Sequence, residues 1–345
     1  MDGSMGRAFG TGLVLVAGGG GFIGGHLAEA LRQAGRPVRM VDRKPLGEWY
    51  QVPAGVEAVS ADLCGAAACE RAVAGVETVF NLAADMGGMG FIETHKSECM
   101  LSVLINTNLL VAARDAGVAR YFFSSSACVY AAEKQVAAEV TALRECDAYP
   151  AMPEDGYGWE KLFSERMCRH FHEDVGLETR VARYHNVYGP LGTWTGGREK
   201  APAAICRKVI EAVRSGDHRI EIWGDGEQTR SFMYIDDCVR GTLMLAGSGH
   251  TAPINLGSSE LVTINRLVDL AEEIAGVRLE RRYKLDAPKG VRGRNSDNTE
   301  IRRVLGWEPS IPLREGLEAT YRWIYDEMAG GRAAETRPVR RVTFA

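Results

Sequence analysis

The sequence predicts an α/β fold: a doubly wound parallel sheet joined to a smaller α/β C-terminal domain. Three observations carry this. Strand-like and helix-like runs alternate from residue 13 onward, a glycine-rich turn follows the first run, and beyond Pro190 the alternation loosens into Gly-rich loops and short strands. A chain of 345 residues exceeds what one compact core usually takes, so one large or two joined domains are expected.

The elements follow in chain order. Residues 1–12 read as a loose lead-in with no charged-then-apolar signal layout. Apolar runs at 13–17 ("LVLVA"), 37–41, 56–60, 78–82 and 121–125 read as buried strands, and helices are expected over 23–34 and near 102–116. A long helix is expected from 157 to about 174, followed by a strand over 179–184. The boundary then falls at 190. Residues 191–328 read mainly as a second domain, with a strand at 220–223 and helices near 201–214, 263–275 and 312–328, some segments returning to the first. Residues 329–345 lack apolar periodicity and read as a mobile tail.

Composition excludes several classes. Hydrophobic content of 46% and charged content of 25% are those of an ordinary globular protein, and a net charge of −4 gives no reason to expect nucleic acid or an anionic membrane as partner. No apolar run approaches the roughly 20 residues that span a bilayer. The eight cysteines are scattered without Cys-x-x-Cys or Cys/His spacing, so no metal site is expected and they read as reduced thiols of a cytoplasmic protein.

Gly18, Gly21 and Gly24 lie in "AGGGGFIGGHLAEAL", between the first strand and the first helix. Glycines there let backbone approach a pyrophosphate, and the helix N-terminus offers unpaired N–H groups, the pattern of a Rossmann dinucleotide site. Asp42 ends the second strand 18 residues past Gly24, where a carboxylate holds both ribose hydroxyls and repels a 2′-phosphate, so NAD is favoured. Arg43 and Lys44 follow and argue the other way. Asp62 is placed to reach the adenine amino group. Residues 13–190 are accordingly expected to form an NAD-binding domain.

Tyr157 and Lys161 lie four apart on the expected long helix and share a face. A nearby ammonium favours phenolate, so Tyr157 is expected to have a lowered pKa and to take a proton from a substrate alcohol as hydride leaves. Ser126, at the end of the fifth strand, would hydrogen-bond the same oxygen.

With these motifs the chain resembles the extended short-chain dehydrogenases/reductases, which act mostly on nucleotide sugars. The strings "NLAADMGGMGF" (81–91), "SSSACVY" (124–130), "GTWTGGREKAPAA" (192–204) and "GVRGRNSDN" (290–298) narrow this to a resemblance to the GDP-mannose 3,5-epimerases, from about residue 13 to about 328. That resemblance implies conversion of GDP-mannose to GDP-L-galactose or GDP-L-gulose, through transient C4 oxidation with bound NAD. It implies Cys128 as base and Lys200 as acid for proton exchange at C5 and C3. Phe22, Ile23 and Leu82 are implied as further cofactor contacts. Gly87, Gly88, Ala127, Asn186, Glu199, Ala201, Lys208, Gln228, Thr229, Arg230 and Arg294 are implied as substrate contacts, Arg230 for the diphosphate and Lys208 and Arg294 for the nucleotide and its phosphates. A homodimer through sheet-flanking helices is implied as well.

Alone, Cys128 is by default a small packing residue and Lys200 a solvated loop charge. A 4,6-dehydratase would show an Asp-Glu pair after the serine, where this chain has Ala127 and Cys128. A simple 4-epimerase leaves both groups without a task, and a non-catalytic NAD-binding sensor would have no need of Tyr157 or Lys161. Two departures from the resemblance stand out: Ser102 occupies the place of a customary asparagine, and "AAEKQVAAEV" (131–140) differs in detail.

Overall fold

The structure is a computed structural model describing residues 10–288, 290–330 and 340–341. The chain runs β1 (Leu13–Ala17), α1 (Phe22–Gln33), β2 (Val38–Asp42), β3 (Glu57–Ser60), α2 (Ala66–Val73), β4 (Val76–Asn81), α3 (Met89–Thr94), α4 (Lys96–Leu101), α5 (Val103–Asp115), β5 (Arg120–Ser126), α6 (Asp155–Val175) and β6 (Glu178–Tyr184). It continues through β7 (Val187–Tyr188), α7 (Ala201–Ser215), β8 (Arg219–Trp223), β9 (Thr229–Ser231), β10 (Met233–Tyr234), α8 (Ile235–Gly247), β11 (Ile254–Leu256), β12 (Leu261–Thr263), α9 (Ile264–Ala275), β13 (Glu280–Lys284), β14 (Gly293–Arg294), α10 (Thr299–Leu305), α11 (Leu313–Met328) and β15 (Arg340–Arg341).

The main sheet has the order β11-β6-β5-β4-β1-β2-β3-β15, and every pairing in it is parallel. Strand alternation divides its side chains between two cores. Val14, Val16, Phe80, Phe122 and Ala182 pack with α1 and α8, while Leu15, Ala17, Val79, Tyr121, Phe123 and Val181 pack with residues of α2, α5 and α6. Burial on both faces is why these strands read as continuous apolar runs. The order reverses between β1 and β4, and that switch point opens the crevice in which such sheets bind ligands.

A third core gathers Tyr188 with residues of α7, β8, α9 and α11. Around it β8 pairs with β13, and β9 lies between β12 and β14. Two late segments return to the first unit: α8 packs in the α1 core, and β11 extends the main sheet beside β6. Of the expected mobile tail, the described part includes β15, which pairs with β3; 331–339 and 342–345 lie outside the described residues, as do 1–9 of the lead-in.

Helix α6 is fixed to the sheet by a buried ion pair. Arg183 on β6 donates from Nε and Nη2 to the two oxygens of Glu165 at 2.9 and 2.7 Å, with both side chains 2% exposed. Ser125 on β5 donates to the same carboxylate. Removing one partner leaves a buried charge uncompensated, so Glu165→Leu is expected to cost about 3–5 kcal/mol. Urea unfolding should then show a lower midpoint with an unchanged slope.

Candidate active site

At the switch point the chain builds a cavity of about 1040 Å³ that runs from the glycine turn to β14. Gly18, Gly21, Phe22, Ile23, Gly24, Asp42, Asp62 and Leu82 line one end. Gly18 has φ +80°, and a Cβ on it would stand 2.9 Å from the Ala83 nitrogen; one on Gly24 would stand 2.2 Å from the Gly18 carbonyl oxygen. Side chains are excluded at both positions by the close packing of turn, strand and helix. A Cβ on Gly21 would meet only the Gly18 oxygen, at 3.1 Å, which leaves its outer face open for a pyrophosphate.

The two cations after Asp42 are engaged elsewhere. Arg43 pairs with Asp85 at 2.8 Å, and Lys44 Nζ donates to the Gly20 carbonyl at 2.7 Å. Asp42 therefore faces the cavity without a cation dedicated to a 2′-phosphate, and the residues present fit NAD.

The middle of the cavity holds Ser126, Ala127, Cys128, Tyr157, Lys161 and Asn186. After β5 the chain turns through a 3₁₀ segment, Ala127–Val129, capped by the Ser126 hydroxyl, which accepts from the Cys128 amide at 3.2 Å. The start of α6 lies directly on this turn: Glu154 N donates to the Cys128 carbonyl at 3.0 Å, and a Cβ on Gly158 would come within 2.3 Å of that oxygen. The glycine after Tyr157 is thus what lets the tyrosine stand beside the cysteine. Lys161 Nζ sits 5.6 Å from the Tyr157 ring centre and 4.7 Å from that of Phe123.

The expected lowering of the Tyr157 pKa is not found. Burial pushes the phenol well above its ordinary value, Cys128 and Glu160 add to the rise, and only a hydrogen bond with Ser126 opposes it. The Lys161 ammonium lies 3.7 Å from the Glu160 carboxylate.

Cys128 behaves in the opposite way. Burial would raise its pKa, but Arg294, the Ser126 hydroxyl and Lys200 together bring the thiol below its ordinary value. Arg294 Nη1 donates to Cys128 Sγ at 3.7 Å, while its Nε donates to Gln135 at 2.6 Å and its other nitrogen pairs with Glu154. The resemblance expects Arg294 at the nucleotide phosphates; its donors go instead to Cys128, Gln135 and Glu154. Lys200 precedes α7 and lines the same cavity. Burial lowers its pKa, the Cys128 charge raises it, and the first effect prevails.

The far end carries Glu199, Ala201, Lys208, Gln228 and Arg230. Burial pushes the Arg230 guanidinium down to about 10, and it donates to the carbonyls of Thr229 and Val291. Lys208 donates to the Glu221 carbonyl at 2.8 Å, Glu199 accepts from Arg207, and Asn186 donates to the Ser231 carbonyl. Gln228 turns its amide nitrogen to the Trp223 carbonyl and leaves its buried oxygen without a hydrogen bond. That oxygen is an acceptor in search of a ligand donor.

Two expected contacts differ. Thr229 is outside the lining, its hydroxyl donating to the Ala138 carbonyl, and Gly87 lies behind the wall against Phe91 and Arg198. Sequence reading missed Gln135 and Glu154, which hold Arg294, and Asp85, which joins Arg43 to Arg198. None has a local signal, since each acts on a partner distant in sequence. Ser102 accepts from the Asp85 amide at 2.8 Å, and the nearby asparagine is Asn106, which hydrogen-bonds Asn81 and Tyr121. No cluster of His, Cys, Asp and Glu able to hold a metal occurs among the described residues.

Because Arg294 lowers the thiol's pKa, Arg294→Met is expected to raise it. Alkylation of Cys128 by iodoacetamide at neutral pH should slow about tenfold for each pKa unit regained, while the plateau at high pH is kept. Mass spectrometry of the Cys128 peptide across a pH series measures this directly.

Comparisons with known proteins agree with this geometry. The sequence pattern of the NAD dependent epimerase/dehydratase family matches residues 14–257. A GDP-mannose 3,5-epimerase of Arabidopsis thaliana is 44% identical over 321 residues, covering 93% of this chain and 84% of the plant protein. Among solved structures, the UDP-glucose 4-epimerase of Thermotoga maritima with UDP-glucose superposes with a TM-score of 0.82 at 28% identity, covering 92% of this chain and 99% of that one. MoeE5 in complex with UDP-glucuronic acid and NAD does so with a TM-score of 0.75 at 31% identity, covering 91% and 99%. With the glycine turn, the Ser126, Tyr157 and Lys161 set and the parallel sheet in place, the chain belongs to the NAD dependent epimerase/dehydratase family.

Proposed function

We propose that this chain is an NAD-dependent GDP-mannose 3,5-epimerase. The observation that carries the reading is the thiol of Cys128. It is buried in the cavity beside the hydride-transfer set, held below its ordinary pKa, with Lys200 lining the same space. A 4-epimerase or a passive NAD-binding protein has no use for that pair. The likeness to the plant enzyme supports the substrate.

Gly18, Gly21, Phe22, Ile23, Gly24, Asp42, Asp62 and Leu82 would hold NAD. NAD, when bound, would supply uptake and return of the C4 hydride and a positive ring that would favour the Tyr157 phenolate, which burial disfavours. Ser126 and Tyr157 hold the C4 oxygen, and Tyr157 receives its proton. The resulting 4-ketone acidifies the hydrogens on C3 and C5. Cys128, as thiolate, removes one of them from one face of the ring, and Lys200 donates a proton to the other face. With the C4 hydride restored, the overall reaction would be a redox-neutral isomerisation to GDP-L-galactose, or to GDP-L-gulose where C5 alone is inverted. Arg230 would serve the diphosphate and Lys208 the nucleotide and its phosphates, each by giving up a backbone-carbonyl partner, while the unpartnered Gln228 oxygen would accept from a substrate donor.

Proton NMR of the product formed from GDP-mannose in D2O tests the reading. Deuterium is expected at the inverted carbons, with no net NADH. Cys128→Ala should lose incorporation by about 10²–10⁴-fold, the usual weight of a general acid or base, while hydride exchange between C4 and the cofactor persists. An unchanged rate of C5 inversion in Cys128→Ala would overturn the assignment.

We also infer a homodimer. Leu101, Leu104, Trp159 and Phe163 expose apolar surface on α4, α5 and α6, Phe163 to 54%. A contiguous apolar patch on a helical face fits a symmetric interface. Phe163→Glu is expected to halve the sedimenting mass.

A further inference from the structure

Asp85 ends no strand and was given no role by the sequence, yet three parts of the molecule meet on it. Its carboxylate pairs with Arg43, just past β2, and with Arg198, in the loop before α7, each at 2.8 Å. Its backbone nitrogen donates to the hydroxyl of Ser102, at the junction of α4 and α5. The side chain of Asp85 is only 12% exposed, while those of Arg43 and Arg198 are 55% and 42% exposed. Burial would raise its pKa, but hydrogen bonds from Arg198 and Arg43 hold the carboxyl below its ordinary value.

The same seam closes at other points. The Arg198 guanidinium lies 3.7 Å from the centre of the Phe91 ring, a close cation–π contact. The Gly88 amide donates to the Arg198 carbonyl at 3.0 Å. A Cβ on Gly88 would stand 2.5 Å from the Glu199 oxygen, so only a glycine lets the two loops touch. Arg43, Asp85, Gly88, Ser102 and Arg198 all line the cavity, between the end that fits NAD and the wall that carries Lys200. Lys200 is two residues beyond Arg198, and among the described residues no carboxylate lies within ion-pair distance of it. Nothing on Lys200 itself fixes the approach of its segment to Cys128.

We propose that Asp85 is a positioning residue: through Arg43 and Arg198 it clasps the loop that carries Lys200 to the cofactor edge of the sheet, closing NAD into the cavity and setting the ammonium opposite Cys128. One carboxylate thus couples cofactor retention to assembly of the proton-transfer pair. Ser102 fixes where that carboxylate stands, which gives the departure at this position a task. The Lys200 half of the proposal rests on the proton-transfer reading above. Its readouts do not require turnover, so failure of the clasp and failure of the epimerase reading remain distinguishable.

The test uses the protein as purified with its cofactor. Asp85→Asn keeps the shape of the side chain and removes the charge. Loss of NAD during gel filtration is expected to be about five- to thirtyfold faster, the factor that corresponds to one or two kcal/mol. Arg198→Met should have a similar effect, and the double variant should be no worse than either, since both break one link. High salt should speed NAD loss from the unaltered protein more than from Asp85→Asn, because the exposed arginines are screened. The second readout is the pH midpoint of Cys128 alkylation, which follows the charge near the thiol rather than its accessibility. That midpoint should rise in Asp85→Asn and stay where it is when the same change is made in a Lys200→Ala background. Additive effects of Asp85→Asn and Arg198→Met on NAD loss, or NAD loss at the unaltered rate in Asp85→Asn, would overturn the clasp. An unmoved alkylation midpoint in Asp85→Asn would overturn its hold on Lys200.

Discussion

The buried pair of Glu165 and Arg183 is the constraint on which the site's geometry depends. Tyr157, Lys161 and Glu165 follow one another at four-residue intervals on α6, so they occupy one face of the helix. Fixing Glu165 to β6 through Arg183, and to β5 through Ser125, sets the rotation and the height of that face against the strand that ends in Ser126. The pair also reaches sideways. Arg183 donates to the Glu145 carbonyl at 2.7 Å and lies beside Tyr130, whose hydroxyl donates to Asn255 on β11. The segment just after Cys128 is thereby held from two directions. An apolar pair of similar volume would pack as well, and often gains stability over buried charges. What it would lose is directionality, and this site needs Tyr157 at one place on Ser126 rather than merely near it.

Given that frame, the titratable groups are pulled apart by their surroundings. The same burial acts on Cys128, Tyr157 and Lys200, disfavouring the charged form of each. Only Cys128 has a fixed cation in direct contact, so it alone ends with its pKa moved toward the charged form. Under the proposed mechanism, a phenol whose pKa burial raises and a thiol whose pKa Arg294 lowers would divide alcohol chemistry from carbon-acid chemistry within one cavity. Separation of this kind is how one site assigns different proton-transfer roles at a single pH.

Much of this was legible in the sequence wherever the controlling distances are short. The glycine turn, Asp42 at the end of β2, and the spacing of Tyr157 and Lys161 are local patterns imposed by one strand, one turn or one helix. The apolar runs located the central strands to within a residue or two because both faces of the sheet are buried. Short or returning elements were less legible. Helices α3 and α4 have six residues each, too few to display a period, and α3 begins in a Gly-Met string that reads as loop. Strand β11 offers three residues, and nothing local says that it leaves the second unit to join the first sheet. The same limit applies to function. Arg294 and Cys128 are 166 residues apart, and Gln135, which orients that arginine, sits in a stretch whose composition suggests surface, yet it is fully buried. Such pairings are set by topology, which a linear pattern carries only through resemblance to a whole family.

The two chemistries proposed for this cavity differ in what holds them. Ser126, Tyr157 and Lys161 all belong to the sheet and to the helix riveted onto it, so their mutual geometry is fixed by one rigid body. Cys128 shares that body, but Arg294 comes from β14 and Lys200 from the loop before α7. The proton-transfer group is therefore assembled across the seam between the two units, and it is complete only while the seam is closed. Under the proposed mechanism this ordering has a chemical use. A 4-ketone with acidified neighbours is reactive, and water that entered while Lys200 was displaced would exchange its protons without control of face. Placing the acid on the loop before α7 would tie the stereochemical step to the closed seam and leave hydride transfer to groups on the sheet and α6.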